Sequence, residues 1–115
     1  MQLNFICRGF TVEELLQCSF NLNKTGLRIL KYLIDEKEEK TIEEIKKVMK
    51  KDRTTIQRSV KNLFREQLIY RRQINLEKGG YIFVYKSAPK TQLKEKIYKI
   101  FESFKETVGK EIQRW

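Results

Sequence analysis

The spacing of apolar residues falls from three or four positions to two at Ile69, and this change restricts the fold more than any other feature of the sequence. Before Ile69 the apolar positions follow the period of an amphipathic helix. From Ile69 to Leu76 the period is two, and a second run, Tyr81 to Tyr85, is aromatic and β-branched. The sequence therefore predicts several helices followed by two strands.

Four polar residues mark where the first helices begin. Thr11 and Thr41 each open a Thr-x-x-Glu capping box, while Asn23 and Asp52 are N-cap residues ahead of apolar periodic runs. These signals predict helices over about 11–19, from 24 to the charged run that starts at 35, from 42 for about three turns, and from 53 to about 68. A tight turn separates the last two.

The helix that follows Asp52 is predicted to have two unlike faces. Its apolar stripe consists of Ile56, Val60, Leu63, Phe64 and Leu68. Its opposite face is polar and basic, with Thr54, Gln57, Arg58, Lys61 and Arg65. The helix before it buries one face with Ile42, Ile45, Val48 and Met49. We therefore expect a helix-turn-helix whose second helix shows a basic face to solvent.

The remainder of the chain is predicted to be a hairpin and one long helix. The run Glu77-Lys78-Gly79-Gly80 joins the two strands, because glycine tolerates the positive φ of a hairpin turn. Pro89 ends the sheet, and residues 91–115 form a helix. We divide the chain into 1–89, which holds the helix-turn-helix and the hairpin after an N-terminal extension, and 90–115, a terminal helix in the same compact unit.

The formal charge of +10 is concentrated after residue 40. Residues 1–40 hold six basic and six acidic residues, whereas residues 41–78 hold eleven basic and five acidic ones. A basic surface attracts nucleic acid, anionic membrane or acidic protein. Richness in Lys, Glu and Ile also fits a merely solvated, thermophile-like surface. Charge alone therefore does not identify a partner, and the placement of the motifs has to decide between these possibilities.

The sequence lacks the residues that several classes of function require. There is no His, no nucleophile paired with a base and no glycine-rich phosphate loop, so we expect no enzyme, no metal and no cofactor. Cys7 and Cys18 are expected to be buried structural thiols rather than redox sensors. No segment resembles a signal peptide or a membrane span, which predicts a soluble cytoplasmic protein.

The order of elements predicts an α+β, mostly α, winged helix-turn-helix with a two-stranded wing and a long C-terminal dimerisation helix. Such a fold places its second helix in the major groove of double-stranded DNA and its wing along the backbone or minor groove. The residues expected to contact DNA are Arg53, Thr54, Thr55, Gln57, Arg58, Lys61, Arg71, Arg72 and Lys78. Arg71, Arg72 and Lys78 are expected near the tip of the wing.

The terminal helix carries more apolar surface than so small a domain can cover. Its apolar positions predict a homodimer interface made of Leu93, Ile97, Ile100, Phe101, Phe104, Val108, Ile112 and Trp115. The alternative is that this helix folds back on its own domain.

Residues 20 to about 98 resemble the archaeal TrmB-type and the MarR-type winged-helix transcriptional regulators. The likeness lies in the order of several segments, among them Leu27-Arg28-Ile29-Leu30, Thr41-Ile42-Glu43-Glu44-Ile45 and Arg53-Thr54-Thr55-Ile56-Gln57-Arg58. The resemblance implies a recognition helix over 54–68, a wing over 69–86 and a two-fold dimer built by the chain ends.

Two departures from these families bear on the prediction. Gln67 stands where they usually carry Gly, so the turn after the recognition helix is expected to differ. The chain also stops after the terminal helix, without the large sugar-binding domain of full-length TrmB regulators, and a small-molecule effector is not expected. Two rival functions stay open: a winged helix that binds protein, and an RNA-binding module that stacks bases on Tyr70, Tyr81, Phe83 and Tyr85.

Overall fold

The structure is a computed structural model that describes residues 2–5 and 8–115. Its elements, in chain order, are β1 (Gln2–Phe5), β2 (Arg8–Thr11), α1 (Val12–Ser19), α2 (Lys24–Asp35), β3 (Lys40–Thr41), α3 (Ile42–Met49), α4 (Arg53–Arg65), β4 (Ile69–Asn75), β5 (Tyr81–Ser87) and α5 (Lys90–Arg114). The predicted fold class is confirmed: helices dominate, and α3, a short turn, α4 and the β4–β5 hairpin form a winged helix-turn-helix. No helix in the described part is long and apolar enough to span a membrane.

The predicted N-caps fix where the first four helices begin. The side chains of Thr11, Asn23, Thr41 and Asp52 each accept a hydrogen bond from a backbone N–H in the first turn of the helix that follows. Thr41 completes its capping box, since the carboxylate of Glu44 accepts the backbone N–H of Thr41 at 3.1 Å. These bonds satisfy N–H groups that have no partner within the helix.

One core joins the helix-turn-helix to the sheet. Ile29, Leu30 and Leu33 of α2 pack with Ile45 of α3 and with the buried face of α4. The sheet has the order β3-β5-β4, and β4 pairs with β5 in antiparallel register from Ile69 opposite Ser87 to Asn75 opposite Tyr81. Because one end of this sheet is anchored in the core, the other end projects as the wing.

Helix α4 ends three residues earlier than the sequence predicts, at Arg65. Gln67 has a φ of 59°, in the left-handed region that favours glycine. Its N–H bonds to the carbonyl of Phe64 and the N–H of Leu68 bonds to the carbonyl of Leu63, which is a Schellman turn. The expectation that Gln67 changes this turn is therefore wrong: the left-handed turn forms without glycine, and Leu68 is buried just beyond the helix.

Three burial predictions are wrong. Val48 is 47% exposed because it lies at the edge of the buried face of α3, and Phe64 is 36% exposed because it lies between that face of α4 and the wing. Cys18 is exposed on α1 rather than buried. Cys7 lies outside the described residues. The antiparallel pair β1–β2 and the two-residue strand β3 were not predicted from the sequence.

The terminal helix leaves the body of the protein after its first few turns. Leu93 is 4% exposed within the core, and Ile97 and Ile100 pack against that core. From residue 101 onward every residue is exposed. The molecule is consequently elongated, with extents of 64 × 24 × 23 Å.

Candidate functional site

The exposed face of α4 consists of two parallel ridges of side chains, because residues four apart lie on the same side of a helix. Arg53, Gln57 and Lys61 form the ridge that faces the wing. Thr54 and Arg58 form a second ridge, which is exposed to solvent beside the first. The polar face predicted from the sequence is therefore present and is divided between an inner and an outer ridge.

An open groove of about 450 Å³ lies between the inner ridge of α4 and the wing. We call it the α4–wing groove. On the wing side it is lined by Arg71, Tyr81, Phe83 and Tyr85, which share one face of the β4–β5 hairpin. Phe64 lies on the helix side. The groove combines three cationic side chains, Arg53, Lys61 and Arg71, and the carboxylate of Glu43 with aromatic walls. Its net cationic charge and its rings suit a ligand that is both anionic and planar or ribose-bearing.

Arg71 bridges the two sides of this groove. Its guanidinium carbon lies 4.3 Å from the ring centre of Phe64 on α4 and 4.2 Å from that of Phe83 on β5. A guanidinium between two aromatic faces makes favourable cation–π contacts with both. Arg71 thereby joins the helix to the wing. The sequence placed Phe64 in the core, so this contact was missed.

Arg72 points to the other face of the hairpin, where it pairs with Glu39. The guanidinium donates to both carboxylate oxygens, from Nη2 to Oε1 at 2.9 Å and from Nε to Oε2 at 3.1 Å. This two-point contact lowers the pKa of Glu39 and raises the pKa of Arg72. The wing is thus tied to the segment between α2 and β3.

The position expected for the two wing arginines is wrong. Arg71 stands opposite Tyr85 and Arg72 opposite Val84, in the middle of the hairpin rather than at its tip. The tip is the turn from Leu76 to Gly80, in which the N–H of Leu76 bonds to the carbonyl of Gly80. Gly79 and Gly80 both have positive φ, as the turn requires. Of the three cations predicted near the tip of the wing, Lys78 is there, whereas Arg71 and Arg72 are not.

Two more of the predicted DNA-contacting residues have partners within the protein. Arg53 forms an ion pair with Glu43 of α3. The Thr55 hydroxyl donates to the carboxylate of Asp52 at 2.5 Å, and this bond and the backbone N–H of Thr55 lower the pKa of Asp52. Thr55 therefore helps to cap α4, whereas Thr54, Gln57, Arg58 and Lys61 remain on its exposed surface.

The four aromatic residues considered for RNA stacking do not form one exposed platform. Tyr85 is buried in the core, and Phe83 packs against the core and Arg71. Tyr70 donates a hydrogen bond from its hydroxyl to Gln92 on α5. Tyr81 is exposed but packs edge-on against Phe83, with 5.3 Å between ring centres. Tyr70 is also exposed, but it lies on the opposite face of the hairpin from Tyr81, so successive bases would not find a row of open rings.

A second exposed surface lies along the outer part of α5. It is apolar and comprises Tyr98, Phe101, Phe104, Val108, Ile112 and Trp115. The predicted interface residues Leu93, Ile97 and Ile100 are instead used, wholly or partly, by the chain's own core. In the described residues no three His, Cys, Asp or Glu side chains are grouped so that they could hold a metal ion.

Taken together, the fold and these surfaces define a winged helix-turn-helix protein. A family model described as "sugar-specific transcriptional regulator TrmB" matches residues 16–102, which include all of α2 to β5. The chain belongs to the TrmB family of transcriptional regulators.

Individual proteins and solved structures are also similar to this chain. A possible transcriptional regulator from Methanosarcina mazei Go1 is 34% identical, covers 100% of this chain and 97% of its own, and superposes with a TM-score of 0.93. An uncharacterized protein from Methanocaldococcus jannaschii is 29% identical over 109 residues, which are 95% of this chain and 74% of the relative. A complex of S. aureus MepR with DNA, 20% identical, has a TM-score of 0.56 over 85% of this chain and 79% of that one, and shows the fold alone.

Proposed function

We propose that this protein binds double-stranded DNA in a sequence-specific manner, as a homodimer, and regulates transcription by occupying its site. The observation that carries the proposal is the exposed polar and basic face of α4, which lies beside a cationic groove and a projecting wing. A helix of this kind fits the width of the major groove. Family membership supports the same function.

The residues predicted to contact DNA divide into three proposed roles. Gln57, Arg58 and Lys61, with Thr54, reach base edges, since Arg recognises guanine and Gln recognises adenine through two hydrogen bonds. Arg53, Arg72 and Lys78 contact phosphates, Arg53 and Arg72 by exchanging a carboxylate partner for a phosphate oxygen. Thr55 and Arg71 act by holding α4 and the wing in place.

The proposed dimer uses the outer part of α5. About fifteen residues of this helix extend from the body without packing against it, and an isolated helix of that length is only marginally stable in water. A second copy that packs along the same stripe covers Phe101, Phe104, Val108, Ile112 and Trp115. Two recognition helices related by a dyad then lie about 34 Å apart, in successive major grooves, and the preferred site is a near-palindrome.

A titration with three nucleic acids tests the DNA proposal. Labelled random-sequence duplex DNA, hairpin RNA and single-stranded DNA of equal length are each titrated at two salt concentrations. The proposal expects the tightest binding to duplex DNA, weakening at higher salt because phosphate contacts release counterions. Equal or tighter binding to hairpin RNA or to single strands would favour the RNA-binding alternative, and binding to none of the three would favour a protein-interaction module.

Light scattering tests the dimer. The unmodified chain is expected to have twice its sequence mass of 13.9 kDa at micromolar concentration. Phe104→Asp should give a folded monomer, because an unpaired carboxylate in an apolar interface is strongly unfavourable. Lys105→Asp, which changes the charge at the next position of the same exposed helix, is the matched control and should remain dimeric. A monomeric unmodified chain would contradict the proposal.

A further inference from the structure

The side of the β4–β5 hairpin that faces away from α4 is apolar towards its tip. We call this side the outer wing face, and its cross-strand pairs are Tyr70–Lys86, Arg72–Val84 and Ile74–Ile82. Leu76 continues the alternation of β4 at the tip. Leu76 is 45% exposed and Ile82 39%, and Ile74 is half-buried. Exposed aliphatic side chains on a two-stranded ribbon favour association with another surface.

DNA bound to α4 leaves the outer wing face uncovered. Arg71 holds the other face of the hairpin against Phe64 of α4, and the α4–wing groove lies on that side. The edge of β5 near Ile82 borders the groove as well, because β5 continues beyond the two residues that pair with β3. Ile74 and Leu76 are not among the residues that line the groove. Their exposed aliphatic surface is therefore available to a partner other than the DNA on α4.

Opposite charges stand at the two ends of the outer wing face. Glu77 is at the tip, and Lys86 is at the base, four residues or roughly 13 Å beyond Ile82 on β5. Within the described residues neither Glu77 nor Lys86 forms an ion pair. The hydrogen bond from Arg72 and, after it, the charge of Lys86 lower the pKa of Glu39, so Arg72 rather than Lys86 holds that carboxylate. Glu77 and Lys86 therefore both lack an ionic partner in the single chain.

We infer that the outer wing face binds the same face of a second copy, on a neighbouring dimer bound to the same DNA, and thereby makes the binding of adjacent dimers cooperative. The inference rests on the proposed function, since it requires dimers side by side on a duplex. A contact with two-fold symmetry forms each pairing twice. When two of these faces stack in opposite directions about Ile74 and Ile82, Glu77 of each copy lies opposite Lys86 of the other.

The small size of this contact determines where it forms. The aliphatic side chains of Ile74, Leu76 and Ile82 bury far less than the roughly 1,200–2,000 Å² of a stable protein interface. Dimers that are free in solution are therefore not expected to associate through their wings. Two dimers on one duplex meet at an effective concentration that is roughly millimolar, at which a weak contact forms. The expected property is cooperative binding to DNA rather than a larger free oligomer.

Duplexes that carry one or two copies of the preferred site, selected from a random pool, measure this cooperativity. The two sites are placed at a series of spacings that increase by one base pair. The cooperativity factor is the affinity for the second site divided by the affinity for an isolated site, so changes in the binding of a single site cancel. We expect a factor of about ten. It should recur about every 10.5 base pairs, because the two wings meet only when both dimers are on the same side of the duplex.

Two sets of variants test the residues of the contact, after circular dichroism has shown them folded. Ile74→Ala combined with Leu76→Ala should lower the factor to about one and leave the affinity for one site unchanged. Val12→Ala, which trims an equally exposed apolar side chain on α1, is the matched control and should keep the factor. Glu77→Lys and Lys86→Glu should each remove most of the cooperativity. Their combination should restore it, because the ion pair is rebuilt with its charges exchanged.

Three results would overturn the inference. Absence of cooperativity at every spacing would leave the outer wing face to a partner other than a second copy. Cooperativity that survives the combined Ile74→Ala, Leu76→Ala change would place the contact elsewhere on the protein. A combined charge reversal that fails to restore cooperativity would exclude the pairing of Glu77 with Lys86. If the unmodified protein fails to bind a one-site duplex, the proposed function fails as well, whereas normal one-site binding without cooperativity removes only the role of the outer wing face.

Discussion

Helix α4 and the wing both carry cations that the sequence assigns to DNA, but the structure uses those cations differently. On α4, Arg58 and Lys61 are exposed, and neither is part of an ion pair within the described residues. On the wing, Arg71 is stacked between two rings and Arg72 is paired with Glu39. Apart from Arg53, which is paired with Glu43, the helix thus presents its cations to solvent, and the wing uses its arginines to fix its own position.

The difference shows that an exposed arginine near a DNA-binding helix has two physical roles open to it. It is free to contact phosphate, or it contributes its planar guanidinium to packing between elements. Three predictions separate these roles, beginning with the largest effect, and a fourth concerns the turn that joins α4 to the wing.

Arg58→Ala should weaken binding to the preferred DNA site by about 1–3 kcal/mol while changing the binding of random duplex little, because a base contact carries sequence information. Gln57→Ala should behave in the same way. Competition titrations with specific and random duplex measure both losses. Arg65→Ala, which removes an exposed arginine near the end of α4, serves as the control. Equal losses on both duplexes would leave α4 as a non-specific basic surface.

Arg71→Ala should reduce the affinity for DNA through misplacement of the wing. Its cation–π contacts are worth about 0.5–1 kcal/mol each at an exposed site, so the wing becomes mobile relative to α4. Lys78→Ala should then cost less affinity in the Arg71→Ala background than in the unmodified protein. A double-mutant cycle measures this coupling. Strictly additive losses would make Arg71 an independent phosphate contact.

Glu39→Gln should strengthen the binding of random duplex about twofold to threefold and steepen the salt slope by up to one, because Arg72 is released to contact a phosphate. Glu38→Gln removes the same charge one residue away and is the matched control. If the two variants bind alike, the effect is one of net charge and the Arg72–Glu39 pair does not restrain the arginine.

Gln67→Gly should stabilise the fold by about 1 kcal/mol, since a left-handed conformation is strained for a residue with a side chain. The change lies between α4 and the wing and removes no cation. Glu66→Gly, one position earlier at a φ of −79°, should instead destabilise. Urea unfolding measures both. A destabilising Gln67→Gly would show that the Gln67 side chain contributes more than its backbone strain costs.

Local signals predicted much of the fold, because caps, periodicity and turn residues act within a few positions. Asn23, Thr41 and Asp52 gave the helix starts correctly, and Gly79-Gly80 gave the hairpin. The contacts between side chains of different elements at the site could not be predicted in this way. The stack of Phe64, Arg71 and Phe83 joins α4 to both strands of the wing, and the pairing of Arg72 with Glu39 spans 33 positions.

Two errors show where local reasoning ends. Phe64 has the spacing of a core residue on α4, but the wing covers it only partly, and nothing in the helix sequence indicates that. The strand β3 is two residues long and carries no strand pattern of its own, because its pairing with β5 determines it. For β1, the alternation of Leu3 and Phe5 with polar neighbours was an available signal.

Selection of bound sequences from a random pool of duplex DNA tests the central claim most directly. A dimer that reads bases with two copies of α4 should enrich a near-palindrome whose half-sites are centred about 10 base pairs apart, one turn of the double helix. The same selection with the combined Gln57→Ala, Arg58→Ala variant should lose the enriched half-site. A pool in which the unmodified protein enriches no sequence would contradict the account.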